Sequence, residues 1–155
     1  MRCVIQRVSE ARVTVDGRPV ATLGRGLLVF VGLRRGDTPE DLDWVAGKVS
    51  RLRVFEDPEG KMNLSIGEVA GGLCVISQFT LYGDCRKGNR PSWTEAMAVE
   101  EARAFWPLVE RRFLATGLPC VFGEFQAMMA VSLVNDGPVT IQLDSADRRG
   151  QATSP

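Results

Sequence analysis

Residues 128–143 read Met-Met-Ala-Val-Ser-Leu-Val-Asn-Asp-Gly-Pro-Val-Thr-Ile-Gln-Leu. Two apolar, strand-like runs, about 128–135 and 138–143, meet at Asn135-Asp136-Gly137-Pro138. Gly137 can take backbone angles closed to other residues. Pro138 fixes its own φ, donates no hydrogen bond, and is the one residue type before which a cis peptide bond is cheap. Such a junction can turn two successive carbonyl oxygens the same way, out of the sheet, where they could hold a ligand's ammonium group. It can equally be a tight turn, the commoner use of Gly and Pro. The residues alone leave both readings open.

Outward from this junction the chain alternates strands and helices. Residues 2–8 and 12–15 read as strands, and Asp16-Gly17 turns into a further strand at Pro19–Leu23. Residues 27–31 form an unbroken apolar run, the mark of a buried central strand. Thr38 is placed as an N-cap with Pro39 at the first helical position, and Leu42, Val45, Ala46, Val49 and Leu52 follow at helical spacing. A helix over about 39–52 is expected, then a strand at 53–56, a turn at Asp57-Pro58-Glu59-Gly60 and a core strand at 73–76. Residues 83–91 form a polar, basic loop. A second helix over about 96–115 contains Pro107, which should kink or restart it. A strand at about 120–125 precedes the two runs of the opening stretch. The expected fold class is mixed α/β: a layered β/β/α single domain of mixed sheets with two main helices. Residues 1–145 make the domain, and 146–155 a polar, mobile tail.

Composition excludes several function classes. The chain has 155 residues, with 19 Lys+Arg against 19 Asp+Glu, so overall charge does not mark it as a nucleic-acid binder. Local clusters remain: Arg34-Arg35, Arg86-Lys87 with Arg90, Arg111-Arg112 and Arg148-Arg149. Cys3, Cys74, Cys85 and Cys120 contain no CxxC pair, and three of them sit inside apolar runs, so neither a disulfide framework nor a zinc site is expected. No metal and no cofactor is expected. No phosphate-binding glycine loop follows a strand. Met1 leads straight into a strand-like run and no apolar run approaches membrane-spanning length, so the expectation is a cytoplasmic protein with no membrane partner. There is no histidine, which removes Ser-His-Asp and Cys-His chemistry and any imidazole base.

A second constellation follows the strand at 73–76: Ser77-Gln78-Phe79-Thr80-Leu81. Backbone N–H groups just past a strand end can point at a ligand. Such donors aimed at a developing oxyanion lower a barrier by about 3–4 kcal/mol each. The alternative is a strand followed by a turn capped by its own hydroxyls. Thr80 as a nucleophile lacks a histidine to activate it.

Ser77-Gln78-Phe79-Thr80-Leu81-Tyr82, Arg86-Lys87-Gly88-Asn89-Arg90-Pro91-Ser92 and residues 131–140 together resemble the D-aminoacyl-tRNA deacylases. The opening Met1–Val8 and the segments Phe55-Glu56-Asp57 and Lys61–Ser65 are similar to the same family, so the resemblance spans about residues 1–145 in order. It implies that family's fold and a homodimer with active sites at the subunit interface. The implied reaction is hydrolysis of the ester joining a D-amino acid to the 3′ end of tRNA, and of mischarged glycyl-tRNA, as chiral proofreading in translation. The Gly-Pro bond, cis in the family, maps onto Gly137-Pro138; inserted into the other subunit's site, its carbonyls would hold the α-amino group and leave no room for an L side chain. The resemblance places Ser77, Gln78, Phe79 and Thr80 in the catalytic segment. It places Gly137, Pro138, Arg7 and Met129 in substrate binding, with Arg7 bracing the Gly-Pro loop from behind. Substrate-assisted attack by water, aided by the terminal adenosine's 2′-hydroxyl, is the implied mechanism; a Thr80 nucleophile is its rival. Cys85, Gln126 and Met128 depart from the family's commoner residues, beside the pocket. The alternative function is a non-catalytic RNA- or nucleotide-binding module of the same fold.

Overall fold

A computed structural model describes residues 1–150 of the chain. Its spine is β1 (Arg2–Val15). Asp16 and Gly17 both adopt positive φ, 50° and 75°, the tight reversal that joins twisted strands. The chain thereby returns as β2 (Arg18–Leu23), antiparallel to the second half of β1. The first half of β1 pairs on that same edge with β3 (Gly26–Gly32). On its other edge β1 pairs along nearly its whole length with the last strand, β8 (Met129–Asp144). Register shifts around Val8 let β1 change partners and faces. Cys3 and Ile5 point to one apolar cluster, Val8, Ala11 and Val13 to another.

The sheet continues from β3 to β6 (Gly72–Ser77) and β7 (Cys120–Phe122), both steps parallel. Parallel neighbours need long crossovers. The first contains α1 (Pro39–Arg51) and the hairpin of β4 (Arg53–Glu56) and β5 (Met62–Ser65); the second contains α2 (Val99–Leu114). The α1 start is fixed by a capping box, with Thr38 Oγ1 accepting from the Asp41 N–H at 3.4 Å and Asp41 Oδ2 accepting from the Thr38 N–H at 3.0 Å. Leu42, Val45 and Val49 of α1 and Trp106, Val109 and Phe113 of α2 are buried against the sheet with Leu27, Val29, Leu73 and Val75. On the opposite face Leu28, Cys74 and Ile76 pack with Leu23 of β2 and with Met129, Val131 and Leu133 of β8. Two apolar interfaces separate three layers, β/β/α, as expected. The buried Met1 ammonium donates to Asp37 Oδ1 (2.5 Å) and Ser145 Oγ (2.7 Å), tying the start of β1 to the end of β8.

Several expectations are corrected. The runs 2–8 and 12–15 are one strand, as are 128–135 and 138–143; bulges absorb the irregular residues and neither strand breaks. The Gly137–Pro138 bond is not cis: no cis peptide bond occurs among the described residues. Gly137 takes φ +106°, so the bend is absorbed at a residue without a Cβ. Pro107 neither ends nor restarts α2. It lies on the exposed side, where water can serve the carbonyl that its missing N–H leaves unpaired. The strand expected over 120–125 stops at Phe122, and β5 is a further strand where no strand is expected. Of the expected tail, Asp147–Gly150 form a short helix, α3, and Arg148 donates to the Glu40 carbonyl (3.1 Å) and pairs with Asp41 (3.5 Å). Residues 151–155 lie outside the described residues. Among the described residues no helix is long and apolar enough to cross a membrane.

Candidate active site

A cavity of about 730 Å³ opens beyond the C-terminal end of β6. Parallel strands leave such a crevice because their connections diverge at this end. One wall is Ile76, Ser77, Gln78 and Phe79; the opposite wall is Met129 and Val131, where β8 begins. Val31 and Leu33 from the end of β3 also line it, as do Ala98 and Val99 where α2 begins. The lining is largely apolar, which strengthens any hydrogen bond made inside it.

Four of the expected site residues meet here: Ser77, Gln78, Phe79 and Met129. Thr80 adjoins them without lining the cavity, and its Oγ1 accepts a hydrogen bond from Gln78 Nε2. A hydroxyl about to attack must give its proton to a base, and among the described residues no basic group is hydrogen-bonded to Thr80 Oγ1. Residues Phe79–Tyr82 form a single 3₁₀ turn directly after β6. The Gln78 N–H is bound to the Val31 carbonyl at 2.8 Å, and the Leu81 N–H to the Gln78 carbonyl at 3.3 Å. Between them, the N–H groups of Phe79 and Thr80 begin the turn and have no acceptor among the described residues. They are two adjacent donors at the cavity edge, the arrangement an oxyanion requires.

Arg7, Gly137 and Pro138 do not line this cavity. Arg7 is 5% exposed although it carries a guanidinium. It donates to the Val54 carbonyl (2.6 Å) and the Asp136 carbonyl (3.2 Å), and pairs with the Asp136 carboxylate at 3.3 Å. Gly137 and Pro138 stay exposed above it. Arg7 therefore braces the bend from beneath.

Arg35 and Trp93, which nothing in the sequence brings to this place, line the cavity, as does Gln126, which the resemblance set beside the pocket. Trp93 stands edge-on to Phe79, with ring centroids 5.2 Å apart at 68°. Gln126 holds φ +63°, a left-handed conformation unusual for a residue with a Cβ. Met128, at the same rim, is 89% exposed. Burial pushes the Cys74 and Cys120 thiols up to about 11 and that of Cys3 to about 12, so none of the three is a thiolate near neutral pH. Among the described residues, no group of three or more His, Cys, Asp or Glu side chains is placed to hold a metal ion.

The family model for D-Tyr-tRNA(Tyr) deacylase matches residues 4–144, and those residues include both the 77–80 segment and the 135–140 bend. The chain belongs to the D-Tyr-tRNA(Tyr) deacylase family. Relatives named D-aminoacyl-tRNA deacylase include one from Thermotoga petrophila, 54% identical over 146 residues, covering 94% of this chain and 98% of the relative. Another, from Geobacter sulfurreducens, is 51% identical over 148 residues, covering 96% and 97%. Among solved structures, one titled c-Myc DNA Unwinding Element Binding Protein superposes with a TM-score of 0.87 at 38% identity, covering 93% of this chain and 98% of that one. A probable eukaryotic D-amino acid tRNA deacylase superposes at 0.77 with 18% identity, which shows the deacylase fold alone.

Proposed function

We infer that this chain is an enzyme that hydrolyses the ester of D-aminoacyl-tRNA, releasing the D-amino acid and free tRNA. The observation that carries the reading is the pair of unpartnered N–H groups, Phe79 and Thr80, at the edge of an apolar cavity. Water attacks the ester carbonyl, whose oxygen becomes an oxyanion facing these two donors. The C–O bond to the terminal ribose then breaks. The proton lost by water reaches the departing 3′-oxygen through solvent or the neighbouring 2′-hydroxyl. No histidine is needed, since an ester is already more reactive than an amide and the chain supplies orientation and fixed dipoles. Gln78 holds the Thr80 hydroxyl and shapes the wall facing Met129.

The exposed Gly137–Pro138 bend acts in trans. It lies outside its own chain's cavity and is braced by a buried arginine. β8 has a strand partner on one edge only among the described residues. In a homodimer the bend reaches the other subunit's cavity, reads the α-amino group and leaves an L side chain no room. Exclusion of this kind admits glycine, so glycyl-tRNA is a second substrate, and the activity serves chiral proofreading in the cytoplasm, where charged tRNA is used. Incubation with D-tyrosyl-tRNA and L-tyrosyl-tRNA tests the reading: only the D ester should be lost. Release of neither ester, with tRNA still bound, would favour a nucleic-acid-binding module without turnover.

A further inference from the structure

We propose that residues 83–93 are the docking surface for the acceptor stem: Arg86, Lys87 and Arg90 hold phosphates of the strand that carries the ester, and Trp93 stacks an unpaired base. The proposal rests on the deacylase reading and identifies how a chain of zero net charge holds a polyanion. Three cations fall within residues 86–90, and every residue of that stretch is exposed. The loop has a defined shape. Asp84 and Ser92 exchange two backbone hydrogen bonds, 2.8 and 2.9 Å, which clasp its base. The Asp84 carboxylate accepts from the Arg86 N–H (3.0 Å), Nε (2.9 Å) and Nη2 (2.8 Å) and curls the chain at the clasp. Asp84 offsets one positive charge. Lys87 and Arg90 have no ion-pair partner among the described residues.

The clasp is also joined to the cavity. Trp93 follows it directly and lines the cavity mouth, edge-on to the exposed Phe79. Gly83 presses against its ring: a Cβ there would lie 2.7 Å from Cζ3. Arg35 adds a cation to the cavity lining. A basic loop leading to an exposed aromatic at the mouth of a hydrolytic cavity matches a nucleic acid whose single-stranded end enters the site. The phosphates supply affinity, and the aromatic face accepts a base without reading its identity.

The test compares D-tyrosyl-tRNA with D-tyrosyl adenosine, which has the ester but no phosphate. In the triple variant Arg86→Gln, Lys87→Gln, Arg90→Gln, kcat/KM for the tRNA ester should fall about 10- to 100-fold, mainly through KM. The slope of log kcat/KM against log salt should flatten by about 2. The adenosine ester should lose less than about twofold, and Arg86→Lys with Arg90→Lys should retain most activity on tRNA. Trp93→Ala should weaken binding of uncharged tRNA about tenfold, with Trp93→Phe close to wild type. Equal losses on both esters, or an unchanged salt slope, would overturn the proposal. A wild-type chain that binds uncharged tRNA with this salt slope yet cleaves neither ester would support the docking surface and overturn the enzymatic reading.

Discussion

The guanidinium of Arg7 lies directly beneath Gly137, so close that a Cβ at 137 would overlap its Nη2 atom. Gly137 also holds φ +106°, which L side chains rarely adopt. Backbone and packing thus make the same demand at one residue. Gly137→Ala should cost about 2–3 kcal/mol of stability, from the forbidden angle and displacement of Arg7 together. It should also lower the D-over-L preference measured with the two tyrosyl-tRNA esters. A variant with wild-type melting temperature and unchanged selectivity would mean that the bend neither needs this conformation nor reads handedness.

Arg7 makes the bend a rigid object. Its donors satisfy the Val54 and Asp136 carbonyls, one from β4 and one from β8. Arg7→Met keeps the stem's bulk and removes the donors, leaving the Val54 carbonyl without its partner and the Asp136 carboxylate without its counter-ion. The expected loss is about 2–4 kcal/mol in chemical denaturation. Arg7→Lys should recover only part of it, because one ammonium cannot span both carbonyls in the geometry of a guanidinium. Full recovery by lysine would show that charge alone matters at this position.

Much of this arrangement is legible in sequence where a local rule and the global fold agree. Thr38-Pro39 announces α1 because the N-cap and the proline act within one turn. Asp16-Gly17 announces the β1–β2 reversal for the same reason. Residues 77–79 and Met129 meet in one cavity, although nothing local to either foretells the other. What stays hidden depends on partners far along the chain. β1 and β8 read as broken runs because each carries irregular residues, and only their mutual pairing shows that bulges absorb them. β5 is four residues long with Met62 and Asn63 exposed, too little alternation to show a buried face. Arg35 and Trp93 reach the cavity from two separate loops, and no spacing rule links them.

Thr80 separates two mechanisms. Its Oγ1 accepts from the Gln78 amide, and its own N–H is one of the two proposed oxyanion donors. Thr80→Ala removes the hydroxyl and keeps the N–H. With water as the attacking group, kcat should stay within about threefold of wild type. A nucleophilic hydroxyl would instead make its removal cost about 10³ or more in kcat. Single-turnover rates on D-tyrosyl-tRNA distinguish the two outcomes, and a drop of that size with tRNA binding intact would restore the covalent route.

Gln126 holds a left-handed φ of +63° at the cavity rim. An L residue there costs about 1–2 kcal/mol relative to its preferred conformations. Gln126→Gly relieves this, while the greater freedom of unfolded glycine returns part of the gain. The net expectation is about 0.5–1 kcal/mol of added stability, seen as a rise of about 2–3 °C in melting temperature. Removing the side chain also widens the cavity mouth, so KM for bulky D-aminoacyl esters should shift more than kcat. A lower melting temperature would show that the glutamine side chain contributes more to the fold than its backbone angle costs.

The capping box at the start of α1 sets a pH dependence. Burial alone would raise the Asp41 carboxyl, but the hydrogen bonds from the Thr38 backbone and hydroxyl and the nearby Arg148 guanidinium hold it below the usual carboxylate value. A carboxyl depressed in the folded state favours folding while ionised. Its contribution is complete above the unfolded pKa, about 3.9, and is lost as pH falls through the lower, folded value. Asp41→Asn should therefore cost about 1 kcal/mol near neutral pH, the usual range for a lost helix cap. The difference between variant and wild type should narrow below about pH 4. Melting temperatures of both proteins between pH 7 and pH 3 give the measurement. A gap that stayed constant with pH would mean that the amide's different hydrogen bonding, and not the carboxylate charge, accounts for the loss.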